Sequence, residues 1–146
     1  ASIVVWGLAH IQPMAHARSH LAATALSGRV YALGGYAEGA ALDVVESYDA
    51  GSDRWVTEAS LPLARDSLAA VELHGRVYVL GGCTSGGVGR LAAVESYDPR
   101  QGKWEAETSM PSTRVLLGAA AYNGRIYVSG GNVAFDLQRA VHSWDP

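Results

Sequence analysis

The sequence predicts an all-β fold made of three repeated units. Tryptophans recur every 49 residues, and Gly-Gly pairs recur after 47 and then 49 residues. The tryptophans are Trp6, Trp55 and Trp104, and the glycine pairs are 34–35, 81–82 and 130–131. A period close to 50 residues is typical of stacked supersecondary units such as solenoids and propellers. No segment shows a sustained apolar period of 3.6 residues, so amphipathic helices are not expected.

The first two strands of each unit are predicted from a hairpin pattern. An apolar run ends in a two-residue turn, Ser27-Gly28 in the first copy, His74-Gly75 in the second and Asn123-Gly124 in the third. Such dipeptides favour tight hairpins whose turn residues have positive φ. The strand that follows begins with Arg, Val or Ile, and Tyr, and the Gly-Gly pair ends it.

The other two strands lie beyond a variable, glycine-rich loop. The segment 45–48, Val-Glu-Ser-Tyr, alternates apolar and polar residues and predicts a half-buried strand, and 94–97 repeats it. A turn such as 99–102 then leads to a fourth strand that holds the tryptophan. Each unit therefore has room for four short strands.

These recurring residues and predicted strands resemble the kelch repeat. A Gly-Gly pair closing the second strand, then Tyr-Asp, then Trp six residues later is the order in that family, and the resemblance spans essentially all 146 residues. In kelch proteins each repeat is one four-stranded blade of a β-propeller. The resemblance is to the kelch domains of BTB-kelch ubiquitin-ligase substrate adaptors.

The repeat phase predicts where the blades begin and end. Residues 1–13 are expected to form the fourth strand of a split blade, 14–61 and 62–110 two complete blades, and 111–146 the first three strands of the split blade. Three blades are too few to close a ring, because propellers typically have four to eight. Two alternatives stay open: a homodimer that completes a six-bladed propeller, or a piece of a longer single-chain propeller.

Composition narrows the classes of partner. A net charge of −3 and a pI near 5.9 give no reason to expect nucleic acid or an anionic membrane as partner. The single cysteine excludes an internal disulfide and favours a reducing compartment such as the cytoplasm. His16 and His20 would suit a metal only on a helix, and this segment reads as loop. Neither a metal nor a cofactor is expected.

One arginine recurs at the start of each unit, and two roles remain open for it. These arginines are Arg18, Arg65 and Arg114. The resemblance implies that they can line the mouth of the central channel and bind acidic peptides, since the guanidinium group matches a carboxylate. Because the residue occurs in every copy, a structural role in packing or in binding loop carbonyl groups is the alternative.

Positions that differ between the copies are the other candidates for binding a partner. Near the start of the unit they are His20 and Ser67, where the third copy has Leu116. After Gly-Gly they are Tyr36, Cys83 and Asn132, and in the variable loops they are Arg90 and Phe135. Variation on a repeated frame is expected of a partner-specific surface, and equally of drift in exposed loops. An exposed aromatic residue near the channel would be a natural anchor.

The functional hypothesis is a protein-interaction module that binds a peptide or protein on one face of the propeller. Substrate recognition for a cullin-type ubiquitin ligase follows from the resemblance alone. An actin-associated scaffold is one alternative. A propeller enzyme, either an oxidase or a sugar epimerase, is another. An oxidase would need tyrosine, histidine and cysteine ligands at the centre, and one cysteine with loop histidines does not supply them.

Overall fold

The computed structural model describes residues 11–85, 88–133 and 136–146. These residues form strands and turns without a helix, so the predicted all-β class is confirmed. Within the same ranges no helix is long and apolar enough to cross a membrane.

The strands follow one another in the same order in each unit. Blade 1 consists of β1 (Ala22–Leu26), β2 (Arg29–Leu33), β3 (Tyr36–Ala37), β4 (Ala40–Ala41), β5 (Val45–Asp49) and β6 (Arg54–Thr57). Blade 2 consists of β7 (Ala69–Leu73), β8 (Arg76–Leu80), β9 (Cys83–Ser85), β10 (Val88–Arg90), β11 (Val94–Asp98) and β12 (Lys103–Ala106). Blade 3 consists of β13 (Gly118–Tyr122), β14 (Arg125–Ser129), β15 (Asn132–Val133), β16 (Asp136–Leu137) and β17 (Val141–Trp144).

Each blade is an antiparallel sheet whose first strand is innermost. The strand order is β1-β2-β5-β6 in blade 1, β7-β8-β11-β12 in blade 2 and β13-β14-β17 in blade 3. The small hairpins β3-β4, β9-β10 and β15-β16 stand apart from these sheets. Four-stranded blades are thus confirmed for the first two units. The split blade's predicted fourth strand falls within 1–13, of which residues 1–10 lie outside the described part of the chain.

The hairpin between the first two strands has the backbone that the sequence predicts. Both turn residues have positive φ in the first copy, with Ser27 at 52° and Gly28 at 77°. His74 and Asn123 adopt 53° and 47° at the corresponding positions. This turn matches the right-handed twist of the strands that it joins.

The core lies between the blades. Alternate side chains of a strand point to opposite faces of its sheet, so β8 serves two interfaces. Val77 and Val79 pack towards blade 1, where Leu33 lies, whereas Tyr78 and Leu80 pack towards blade 3. The prediction of a half-buried strand is therefore wrong for β5 and β11. All four residues of each Val-Glu-Ser-Tyr segment are buried, because both faces of the strand are covered.

The Gly-Gly pairs are required by two close approaches of backbone. A Cβ on Gly81 would lie 2.5 Å from the carbonyl oxygen of Arg114 in the next blade. A Cβ on Gly82 would lie 2.5 Å from the carbonyl oxygen of Asp66, in the segment that leads into its own blade. Real Cβ atoms are not found at such distances. Glycine at these positions therefore lets the end of β8 approach both the next blade and the segment that leads into its own blade.

The repeated arginines lie inside the protein. The Arg65 side chain is fully buried, and its Nη2 donates to Glu95 Oε1 at 2.7 Å. Arg18 Nη2 donates to Glu46 Oε2 at the same distance, and its Nη1 donates to the carbonyl oxygens of Gly34 and Val44. Burial lowers the pKa of Arg18, and the Glu46 carboxylate opposes this effect. An arginine with so high an intrinsic pKa stays charged.

This placement revises the expectation that Arg18, Arg65 and Arg114 bind an acidic peptide. Arg65 and Arg114 are 0% and 1% exposed. Arg114 Nη1 donates to the carbonyl oxygens of Gly130 and Ala140, just as Arg18 does to their counterparts. Arg18 and Arg114 thus join the glycine after β2 or β14 to the residue before β5 or β17, and Arg65 binds the equivalent glycine, Gly81. The contacts support the structural alternative.

Replacing Arg65 with alanine is expected to destabilise the fold by roughly 3–5 kcal/mol, because it leaves Glu95 as a buried charge without its cation. Equilibrium unfolding in urea measures this change. Arg54→Ala, at an exposed position on β6, is the control and should change the free energy of unfolding by less than about 0.5 kcal/mol. An Arg65→Ala protein as stable as the control would show that the buried pair has no structural role.

Candidate partner-binding surface

Backbone hydrogen bonds run from blade to blade around the inner rim. The amide of Ser67 donates to the carbonyl of His20 at 2.8 Å, and the amide of Leu116 donates to the carbonyl of Ser67 at 2.9 Å. These three residues hold equivalent positions in the three units. All have left-handed backbone, with φ of 53°, 56° and 55°. A left-handed residue other than Gly or Asn is uncommon and strained, so it marks a position that the surrounding structure dictates.

A second set of backbone bridges places the residue after Gly-Gly beside this rim. Isolated bridges pair Ser19 with Tyr36, Asp66 with Cys83 and Val115 with Asn132. The candidates after Gly-Gly therefore lie next to the candidates near the start of the unit. The sequence placed these two groups 16 residues apart in each copy, and the fold brings them together.

The two groups line one concavity of about 340 Å³. We call its accessible lining the mouth surface, defined as His20, Tyr36, Ser67, Arg90, Leu116 and Asn132. His20 and Leu116 are exposed, and the other four are partly buried. Five of these six residues are candidates from the sequence, and they come from all three blades.

Arg90 links the variable loops of two blades. Its Nη1 donates to the side-chain Oδ1 of Asn132 at 2.8 Å and to the carbonyl oxygen of Asn132 at 3.2 Å. The guanidinium group is partly buried and contributes positive charge to the mouth surface. This contact sets where the loop of blade 2 lies relative to that of blade 3.

Cys83 lies in the floor of the concavity. It is 1% exposed, and its thiol donates to Asp66 Oδ1 at 3.2 Å. The hydroxyl of Ser67 donates to the same oxygen at 2.7 Å. The expectation that Cys83 contacts a partner is revised, because its thiol is covered. Asp66 and Cys83 are thus part of the floor of the concavity, and Ser67 is hydrogen-bonded to it through Asp66.

Leu116 is the mouth residue that the set of candidates omits. Its side chain is 66% exposed, and its φ is 55°. The available signal was its position, which is equivalent to those of His20 and Ser67. The candidate Phe135 lies outside the described residues.

The described residues contain no cluster of three or more His, Cys, Asp or Glu side chains that could hold a metal ion. What the mouth surface offers is a shaped set of apolar, hydrogen-bonding and cationic groups.

Comparison with known proteins agrees with the blade structure. The profile of the kelch motif matches residues 17–62 and 64–111, which cover blades 1 and 2 together with the segments that lead into them. A search of curated proteins found no match. Two consecutive matches cover more than half of the chain, with Gly-Gly, Tyr-Asp and Trp in place in each. The chain is a member of the kelch-repeat family.

Proposed function

We propose that this chain binds a protein or peptide partner on the mouth surface. Kelch repeats generally mediate interactions between proteins, and the family is generally a non-enzymatic interaction module. The observation on which the proposal depends is the rim. One repeated, strained backbone position presents histidine, serine and leucine in turn to a single concavity. Such variation on a repeated frame is expected of a partner-specific surface.

The side chains favour a mixed ligand over a strongly acidic one. Leu116 and the ring of Tyr36 provide apolar contact area, whereas His20, Arg90 and Asn132 provide hydrogen-bonding groups and one cation. The buried arginines add no donors to the surface. A segment with an apolar anchor residue flanked by polar groups fits these features.

A role in delivering the partner to a cullin-type ubiquitin ligase is the finer form of this proposal. Its support is the family resemblance alone. A cytoplasmic location is also part of the proposal, and its support is the single cysteine of the sequence. An actin-associated scaffold remains the alternative within the same class of interaction module.

Leu116→Asp is expected to weaken partner binding at least about tenfold, because it puts a charge where the apolar anchor packs. Aspartate adopts left-handed backbone more readily than leucine, so the fold should tolerate the change. The measurement begins with selection of binding peptides from a displayed library against the wild-type chain. Titration calorimetry of the selected peptides against both proteins then gives the affinities.

Val56→Asp is the matched control. Val56 is similarly exposed but lies on the outer strand β6, away from the mouth surface. Peptides that bind the control and the wild type equally, and Leu116→Asp weakly, support the proposal. Peptides that bind all three proteins equally would place recognition elsewhere and contradict it.

A second copy of the chain is the proposed partner that completes the ring. Trp104 of blade 2 donates its indole N–H to the carbonyl of Ala59, in the segment that leaves blade 1. Trp55 of blade 1 donates in the same way to Gln12. By this rule the segment before Gln12 is expected to belong to a blade on the side of blade 1 away from blade 2. Blade 3 lies on the other side of blade 2, so blades 1 and 2 would lie between this segment and the edge of β17.

The repeat register indicates how two copies would join. Trp104 pairs with Tyr97 between β12 and β11, and their rings lie 5.1 Å apart. The equivalent pair across a completed blade 3 is Trp6 with Trp144. The carbonyl that would accept from the Trp6 indole is that of Thr108, which follows Trp104 by four residues as Ala59 follows Trp55. An exchange of these strands in both directions would give six blades.

The mass of the 146-residue chain in solution tests this assembly. Light scattering coupled to size-exclusion chromatography should give about twice the chain mass of 15.3 kDa. Trp6→Ala should move the population towards the monomer, because a large aromatic side chain is lost from the junction. A wild-type chain that stays monomeric at every concentration would overturn the homodimer and leave the longer single-chain propeller.

A further inference from the structure

The third repeat lacks the carboxylate that neutralises the buried arginine in the other two. In blade 1 Glu46 lies opposite Ala32, and in blade 2 Glu95 lies opposite Val79; each glutamate accepts from an arginine at 2.7 Å. The same register position in blade 3, opposite Val128, is held by His142. His142 is exposed, whereas Glu46 and Glu95 are 1% and 8% exposed.

Arg114 is therefore a buried cation with no carboxylate beside it. All fourteen Asp and Glu residues of the chain lie within the described ranges, and none is within ion-pair distance of Arg114. The two carbonyl groups that it contacts both accept from Nη1. In Arg18 and Arg65 it is Nη2 that donates to the carboxylate. Burying a charge without a counter-ion costs free energy. An anion that binds beside the charge recovers that free energy.

A cavity of about 260 Å³ lies at this place. It sits between blades 2 and 3, and Arg114 and His142 both line it. Leu80, Val128 and Trp144 make most of its wall apolar. Its volume is below the roughly 300–1,000 Å³ that is common for sites of drug-sized ligands. The space suits one short carboxylic acid or one acidic side chain.

We propose that this cavity binds a carboxylate, which accepts hydrogen bonds from Arg114 and so replaces the glutamate found in the other blades. The cavity shares no residue with the mouth surface, so this site is separate from partner binding there. Residues 1–10 contain no Asp or Glu. A fourth strand from a second copy would therefore cover the cavity without neutralising Arg114. The carboxylate would then be that of a free acid or of an acidic side chain outside residues 1–146.

The test uses His142→Glu, which restores the residue of the other two repeats. Sodium acetate up to about 100 mM should raise the melting temperature of the wild-type chain in a saturable way, beyond the effect of sodium chloride at equal ionic strength. His142→Glu should melt higher than the wild type without acetate and should lose the response. His142→Ala supplies no carboxylate, so it should keep the response to acetate. If His142→Glu does not fold, His142→Ala still tests whether Arg114 or the imidazole holds the anion.

Two results would overturn the proposal: an acetate response no larger than that of chloride, or one that persists unchanged in a folded His142→Glu protein. Loss of the response in His142→Ala would also overturn it, since the imidazole and not Arg114 would then hold the anion. Blocked glutamate, acetylated and amidated, distinguishes the two sources. Binding of acetate alone indicates a free small acid, and equal or tighter binding of blocked glutamate indicates a side chain of a partner. Either result supports the site.

Discussion

The hydrogen bonds that pass between blades at the inner rim are the constraint on which the rest of the structure depends. Backbone amides of one unit donate to carbonyls of the preceding unit, from Ser67 to His20 and from Leu116 to Ser67. Bonds from Gly35 to Arg65 and from Gly82 to Arg114 reinforce them. These contacts require left-handed backbone and glycine pairs, and they hold variable side chains at fixed points around one concavity. The repeated scaffold thus separates what must stay constant from what can differ between units.

The buried arginines hold this rim to the blades. Each binds the carbonyl of the first glycine of the Gly-Gly pair or of the residue before the third strand, and two of them also bind a carboxylate. The positive charges of these arginines are buried and do not lie on the mouth surface. The surface is therefore less cationic than the number of repeated arginines suggests, and this favours the mixed ligand proposed above. The third unit keeps the arginine and its carbonyl contacts but not the acid.

Spacing alone predicted much of this structure. The hairpin turns and strand positions were predicted correctly because each depends on residues close in sequence, as in Ser27-Gly28 and Arg29–Leu33. The convergence of His20 and Ser67 followed from their equivalent places in the units. The inward orientation of the Arg65 side chain could not be predicted, because its acceptor, Glu95, lies 30 residues away on another strand. The full burial of β5 likewise depends on neighbours on both faces, which the pattern of one strand does not show.

Hydrogen exchange at individual amides tests the inter-blade rim most directly. Leu116 has an exposed side chain, yet its amide, like that of Ser67, is bonded to the neighbouring blade. Native-state exchange followed by NMR should find both amides protected to within about tenfold of the amides in the central strand β8, since they open only when blades separate. Exchange as fast as that of exposed Gly39 in the β3-β4 turn would show that the rim does not join the blades, and would contradict the account.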